Sequence, residues 1–266
     1  MESIRKHLIA LTVVFAAMGV VLLVTAFATD YWVTASPQSV TNNSTSDTPD
    51  TSNSSFGLFN GKQYLKYTTG DRSFPLQALC NATEGVCAYI FLRQGTEPRA
   101  KLTELIQEYK KNGTASSGLG QIEHGLFSFA LWVCTIIFLS LSIVMGLVTI
   151  GFSVFNVFGR PIETITGPMG LYLWNGLSLL LTILTLSLFG ALYGGELSQN
   201  FLMFEDYKIG WRSEGHTSLG YSYFLVIGGA GAFIVNLILL YLSGHTLSCS
   251  YAGSGEKEVD NGMILY

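Results

Sequence analysis

Charge is what this 266-residue chain has least of. Asp, Glu, Lys and Arg together make up 12% of it, about half the share of an ordinary soluble domain. The formal net charge is only −4, small and scattered, and it leaves no basic face for nucleic acid. Cysteine is scarce as well. Of the four, Cys80 and Cys87 lie in a polar stretch, Cys134 lies inside an apolar run and Cys249 just follows one. Walker, HExxH, GxSxG and paired CxxC patterns are all missing, so no catalytic set and no cofactor is expected. His7, His124, His216 and His245 are far apart in sequence and are read as polar groups near membrane edges, not as a metal site.

In place of charge the chain has apolar length. Hydrophobic residues make up 49%, and they come in blocks with no amphipathic period. Leu8–Ala28, Gly125–Gly159 and Thr164–Gly195 hold no charged residue, and Thr217–Ser243 has only His216 and His245 as ionisable neighbours. About 20 apolar residues cross a bilayer core, so the blocks predict four transmembrane helices. The second and third exceed one crossing, and their surplus is assigned to helical extensions or half-buried turns. The expected layout is an N-terminus at 1–7, spans at 8–28, 124–153, 169–193 and 218–243, outer loops at 29–123 and 194–217, an inner loop at 154–168 and a tail at 244–266.

Sidedness comes from Asn-X-Ser/Thr sequons. They begin at Asn42, Asn43, Asn53, Asn81 and Asn112, all between the first two blocks and nowhere else. Five acceptors in one segment place 29–123 outside the cytoplasm as a glycosylated loop. Four spans then put both termini in the cytoplasm of a multi-pass membrane protein, most simply in the plasma membrane. Arg5 and Lys6 before the first span agree with the positive-inside tendency. Eight Lys and Arg in the long loop do not contradict it, because loops of that length translocate regardless of charge. The rival reading is a cleaved leader ending near Ala26-Phe27-Ala28, although a 21-residue apolar region is long for one.

Inside the loop, "NNSTSDTPDTSNSS" at 42–55 is a hydrophilic spacer. Mixed aromatic, β-branched and turn residues predict short strands at about 56–67 and 86–93. On the oxidising side Cys80 and Cys87 are expected to close a small disulfide ring, free thiols being the alternative. "PRAKLTELIQEYKK" at 98–111 reads as a helix, with Leu102, Leu105, Ile106 and Tyr109 on one stripe and Glu97 paired to Lys101. The stripe is expected to pack on the loop's own strands, a partner-binding face being the other reading.

No Asp, Glu, Lys or Arg stands in the middle of a block, which disfavours proton-coupled carriers and pumps. Asn175 and Asn236 are the notable intramembrane polar groups, and interhelical hydrogen bonds are their natural use, a polar substrate site being the alternative. Gly228, Ala232 and Asn236 share a face of the fourth span, and Gly190 with Gly194 forms a GxxxG. Both predict close backbone contact, within the bundle or between protomers. Cys249 is a candidate for S-palmitoylation, with an unmodified thiol equally open. The final Ile264, Leu265 and Tyr266 follow an acidic tail. Ile264 and Tyr266 fit the alternate pockets of a PDZ-type scaffold, with membrane adhesion as the alternative.

The segment "NVFGRPIETITGPMGLYLWNG", 156–176, resembles the clarin family. Asn156, Pro161, Gly167, Pro168, Gly170, Tyr172, Trp174 and Asn175 carry the likeness. Trp32, Gly57-Leu58-Phe59, Gly61 and the ending "GMILY" agree with it, and "YSYF" with "YLWNG" is most similar to the third clarin branch. Clarins resemble the wider claudin and PMP-like group, whose W…GLW…C…C signature aligns in order with Trp32, Gly57-Leu58-Phe59, Cys80 and Cys87. Phe59 replaces the signature's second Trp. The resemblance implies an all-α transmembrane four-helix bundle (a tetraspan) with a small extracellular β-sheet-containing region formed mainly by the first outer loop. It also implies a non-enzymatic protein that organises membrane microdomains or serves as an adhesion or auxiliary subunit. Its partners would be the lipid bilayer, other proteins of the same membrane and a cytoplasmic PDZ-domain scaffold. The alternative is a claudin-like paracellular barrier or pore.

Overall fold

The computed structural model describes residues 2–39, 52–67, 70–91, 97–111, 123–158 and 168–254. In chain order the elements are α1 (Glu2–Ala28), β1 (Val33–Ala35), β2 (Gln38–Ser39), β3 (Ser54–Phe56), β4 (Asn60–Tyr67), β5 (Gly70–Asn81), β6 (Val86–Phe91) and α2 (Pro98–Lys111). They continue with β7 (Phe127–Ser128), α3 (Phe129–Phe158), α4 (Pro168–Leu192), a π-helical turn (Tyr193–Leu197), α5 (Phe204–Ile209), β8 (Trp211–Arg212), β9 (Thr217–Leu219) and α6 (Tyr221–Ser254). Four helical stretches are long and apolar enough to cross a membrane: His7–Ala28, Phe129–Phe158, Met169–Leu197 and Tyr221–Ser243. The protein is therefore mostly helical, with four candidate spans and a small antiparallel sheet.

Two compact units divide the chain. A helical unit comprises Met1–Leu23, Ser140–Thr182 and Gly228–Tyr266, and a sheet-bearing unit comprises Val24–Leu139 and Ile183–Ile227.

The helical unit is keyed around Phe233 of α6, which is fully buried. A Cβ added at Gly19 of α1 would lie 3.1 Å from the Phe233 ring, and one at Gly146 of α3 would lie 3.3 Å from it. The two glycines cut a slot that any larger side chain would close. Small residues serve the same end where α6 meets α1: a Cβ at Gly228 would reach Leu22 at 3.4 Å, and one at Gly229 would reach Leu23 at 2.8 Å. In lipid, close packing of this kind replaces the water-driven apolar gain as the source of helix association.

The sheet-bearing unit is built on a seven-stranded antiparallel sheet in the order β7-β6-β5-β4-β3-β1-β9, beside a two-stranded β2-β8 ribbon. The stretch between α1 and α2 supplies five of the seven strands. β9, from the segment after α4, pairs with β1 in the register Val33↔Leu219. β6 is buried on both faces from Val86 to Ile90, which is why its sequence shows no alternation. On one face Val86, Ala88 and Ile90 pack with Leu102, Leu105 and Ile106 of α2. The α2 stripe is thus spent on the chain's own strands, as expected.

The strands are more numerous than the sequence predicts, and the two expected ones are shorter: 56–67 is divided between the end of β3 and β4, and β6 ends at Phe91. β5 runs for 12 residues in a stretch where no strand was predicted. Its described pairing with β6 begins at Leu76, so Pro75 stands just past that ladder, where a missing N–H is tolerated.

Candidate functional site

Trp32, Gly57-Leu58-Phe59, Cys80 and Cys87 all lie in the sheet-bearing unit. Trp32 is 1% exposed. Its indole N–H donates to the Ala26 carbonyl at 2.7 Å, and its ring meets Phe189 edge-on at 4.7 Å. One residue thereby bonds a carbonyl at the end of α1, which also accepts from the Thr29 hydroxyl at 3.3 Å, and buries a large apolar surface. Gly57 turns β3 into β4, its N–H donating to the Asn60 carbonyl at 2.8 Å. A Cβ at Gly57 would sit 2.6 Å from the Asp30 Cα, so only glycine fits this approach. Leu58 is buried, whereas Phe59 is 41% exposed with its ring against Phe27 at 5.1 Å.

Tyr89 of β6 closes this cluster from the other side. Its hydroxyl donates to the Gly57 carbonyl and its ring packs on Phe56, Phe201 and Trp132. Burial, and then the nearby charge of Asp30, push the Tyr89 hydroxyl well above its ordinary range. Burial also raises the Asp30 carboxyl, while Lys62 pulls it the other way. Neighbouring exposed rings, Tyr31 and Tyr221, stack at 4.9 Å.

Cys80 and Cys87 are cross-strand partners of β5 and β6 and are joined by a disulfide, with Cα atoms 4.0 Å apart. The same hairpin carries Asn81, whose side-chain carbonyl accepts from the Thr83 hydroxyl at 2.6 Å and the Thr83 N–H at 3.1 Å. Of the other sequon residues Asn53 is exposed, and Asn42, Asn43 and Asn112 lie outside the described residues, as do Ile264, Leu265 and Tyr266. Cys249 lies near the end of α6.

Three polar links tie the segment before α3 to the segment after α4. Lys101 of α2 meets Glu205 of α5 at 2.8 Å, Lys208 meets Glu108 at 2.6 Å, and the Gln63 amide donates to the Asp206 carboxylate at 2.7 Å. Glu205 takes the lysine assigned above to Glu97. Lys101 turns to Glu205 and, at 3.5 Å, to Glu104, because α5 brings a carboxylate closer than the preceding helical turn does. Hydrogen bonding to Glu205 raises the Lys101 ammonium above its usual range, and hydrogen bonding from Lys208 holds the Glu108 carboxyl below its own. Sequence reasoning missed these contacts, since partners 100 residues apart leave no local signal. His124 also departs from expectation. It is 4% exposed and stacks on Phe204 at 4.0 Å, a core ring and not an interfacial polar group.

Within the helical unit Asn175 and Asn236 are fully buried and bonded together. The Asn236 amide donates to the Asn175 side-chain carbonyl at 2.8 Å, and the Asn175 amide donates to the Phe233 carbonyl at 2.9 Å. Ser142 of α3 adds bonds to the Ser178 carbonyl at 2.9 Å and to the Thr182 hydroxyl at 2.7 Å on α4. Trp174 stacks on Phe152 at 6.0 Å. Of the residues that carry the 156–176 resemblance, Asn175 thus anchors the Phe233 layer and Trp174 packs α4 on α3. The Gly190/Gly194 pair is different. A Cβ at Gly190 would lie 3.6 Å from the Tyr223 hydroxyl, but one at Gly194, in the π turn, would meet nothing within 4 Å. Among the described residues the Gly190 half of that motif faces α6 and the Gly194 half faces no other part of the chain.

Comparison with known proteins gives one consistent answer. The family profile described as Clarin-2-like matches residues 123–240. Human Clarin-3 is 37% identical over 95 residues, 35% of this chain and 41% of the relative. Rat Clarin-3 is 32% identical over 155 residues, 58% of this chain and 65% of the relative. Mouse Clarin-3 is 31% identical over 118 residues, 44% and 49%. The chain spans less than two thirds of the length of each of these relatives.

Proposed function

We propose that this chain, which is similar to clarins over part of its length, is a non-enzymatic tetraspan that organises other membrane proteins through lateral helix contacts. One observation carries the reading. Only 28–39% of the most apolar window of each candidate span is buried within the chain. The four helices therefore offer most of their apolar surface to lipid or to neighbours, while the Asn175 and Asn236 amides donate to groups inside the chain. In this proposal the sheet-bearing unit stands outside the cytoplasm at the plasma membrane, with its sequons glycosylated. The exposed Tyr31 and Tyr221 then lie at the headgroup level, where tyrosine is enriched.

The test is photocrosslinking in native membranes. A photoreactive residue at Phe155, 48% exposed on α3, is expected to capture other membrane proteins, and one at the buried Ser142 is expected to capture none. Capture of lipid alone from Phe155, Leu147 and Leu173 overturns lateral organisation. Conductance or strand formation in non-adherent cells expressing the protein would instead support the claudin-like barrier reading.

A further inference from the structure

The sheet-bearing unit contains a cavity of about 390 Å3, within the size range of small-molecule pockets. Six polar side chains stand on its wall, Tyr89, Lys101, His124, Asn200, Glu205 and Asp206, and the chain has already engaged each of them. Lys101 and Glu205 form an ion pair at 2.8 Å. The Asp206 carboxylate accepts from the Gln63 amide at 2.7 Å, and Tyr89 donates to the Gly57 carbonyl. The Asn200 amide donates to the Glu123 carbonyl at 3.4 Å, and its side-chain carbonyl accepts from the Leu202 N–H at 2.9 Å. His124 stacks on Phe204 at 4.0 Å, meets Tyr109 edge-on at 5.5 Å and has a further interaction inside the protein. The Phe204 ring is taken as well, by His124 and by the Lys208 ammonium at 4.2 Å. What the wall has to spare is apolar, with Phe74, Ile90, Phe91, Leu105, Phe201 and Ile209 among its residues. Ile209 is 59% exposed, which sets it at the rim. An ion of either sign would give up its hydration here and find no open partner unless it broke one of these pairs. Water fares little better, since a held water needs about two to four polar partners. An uncharged apolar body loses little by entering and covers the spare rings.

We propose that this cavity binds an uncharged organic molecule with a mainly apolar body, of up to roughly 15 non-hydrogen atoms, scaled from the cavity of about 150 Å3 that holds benzene. Selectivity comes from the self-paired wall, so a cationic and an anionic form of one skeleton are both rejected. Rejection of both signs separates this site from an ionic one, which prefers one of them. Two sources share the chemistry, the acyl chain of a membrane lipid and a free solute.

The probe is hydrocinnamyl alcohol, titrated by calorimetry into the full chain in nanodiscs, with the signal of empty nanodiscs subtracted. Hydrocinnamate and phenylpropylammonium put a charge of each sign on the same carbon skeleton. Saturable one-site binding of the alcohol is expected, about tenfold tighter than that of either ion. Ala88→Leu adds bulk to a wall residue that is 2% exposed and is expected to abolish binding. Phe91→Ala, at the end of β6, decides the matter if that variant does not fold, and is expected to weaken binding about fivefold through lost apolar contact. Phe155→Ala, on α3 in the helical unit, is expected to leave binding unchanged, which separates the cavity from uptake among the spans. Native mass spectrometry distinguishes the sources. A lipid adduct that the alcohol displaces assigns the cavity to an acyl chain, and no displaceable adduct assigns it to a free solute. The proposal is overturned by absence of saturable binding above empty nanodiscs, or by an ion that binds as tightly as the alcohol. A folded Ala88→Leu variant that binds as before, or equal losses from Phe91→Ala and Phe155→Ala, would overturn it too.

Discussion

In the helical unit a phenylalanine rests in a slot cut by two glycines, and two asparagines bond to each other. In the sheet-bearing unit the fastenings are a tryptophan hydrogen bond, a disulfide and ion pairs. Among the described residues every ion pair falls in the sheet-bearing unit. The difference follows from solvent. Apolar helices in lipid gain little from hydrophobic burial, so shape and a few buried hydrogen bonds must hold them. The sheet-bearing unit, which also carries one end of each candidate span, draws on a cross-link and on charge, and these respond to reductant, salt and pH. The two units should therefore fail under different insults.

The largest effect is expected from Trp32→Ala. Losing a fully buried indole and its bond to Ala26 costs about 3–5 kcal/mol, read as a collapse of the sheet-bearing unit in thermal unfolding. A shift below about 1 kcal/mol would mean that Trp32 is not the keystone described, since large buried aromatics cost more than that. Reduction of Cys80–Cys87 comes next, at about 2–3 kcal/mol for a ring this short. Reductant should lower the unfolding temperature of the wild type and leave a Cys80→Ser/Cys87→Ser double variant unmoved. Equal sensitivity of both proteins would place the redox effect elsewhere.

Asn236→Leu probes the other unit. It removes one interhelical bond and is expected to cost about 1 kcal/mol, with no change in sensitivity to reductant. The smallest effect is that of pH on the two interloop ion pairs, each worth at most about 1 kcal/mol because they are partly exposed. Glu108 is held below its ordinary value of 4.5, so its share is present above pH 4.5 and is lost as pH falls through the folded value. Lys101 is raised above 10.5, so its share is present below pH 10.5 and is lost as pH rises through the folded value. A Glu108→Gln variant should lose the acidic limb alone, as measured by denaturation between pH 3 and 7.

Patterns confined to a few helical turns were legible in the sequence. The apolar blocks, the Leu102/Leu105/Ile106 stripe and the small-residue face that carries Gly228 all follow from local spacing and residue size. What escaped depends on partners far along the chain. β9 becomes a strand only because β1 offers it an edge, and Glu205 draws Lys101 away from its own helix. The Gly19 and Gly146 slot is invisible until Phe233 is placed in it. β5 escaped as well: it is held between β4 and β6, and that pairing is not visible in its own residues.

The comparison rests on the sheet-bearing unit facing the oxidising, water-filled side. Glycosidase treatment of the protein from cells tests that directly. The account predicts a mass shift that disappears when Asn42, Asn43, Asn53, Asn81 and Asn112 are all changed to Gln. It also predicts a return of part of the shift when Asn81 alone is restored. No shift in the wild type, or one that survives all five substitutions, would contradict it.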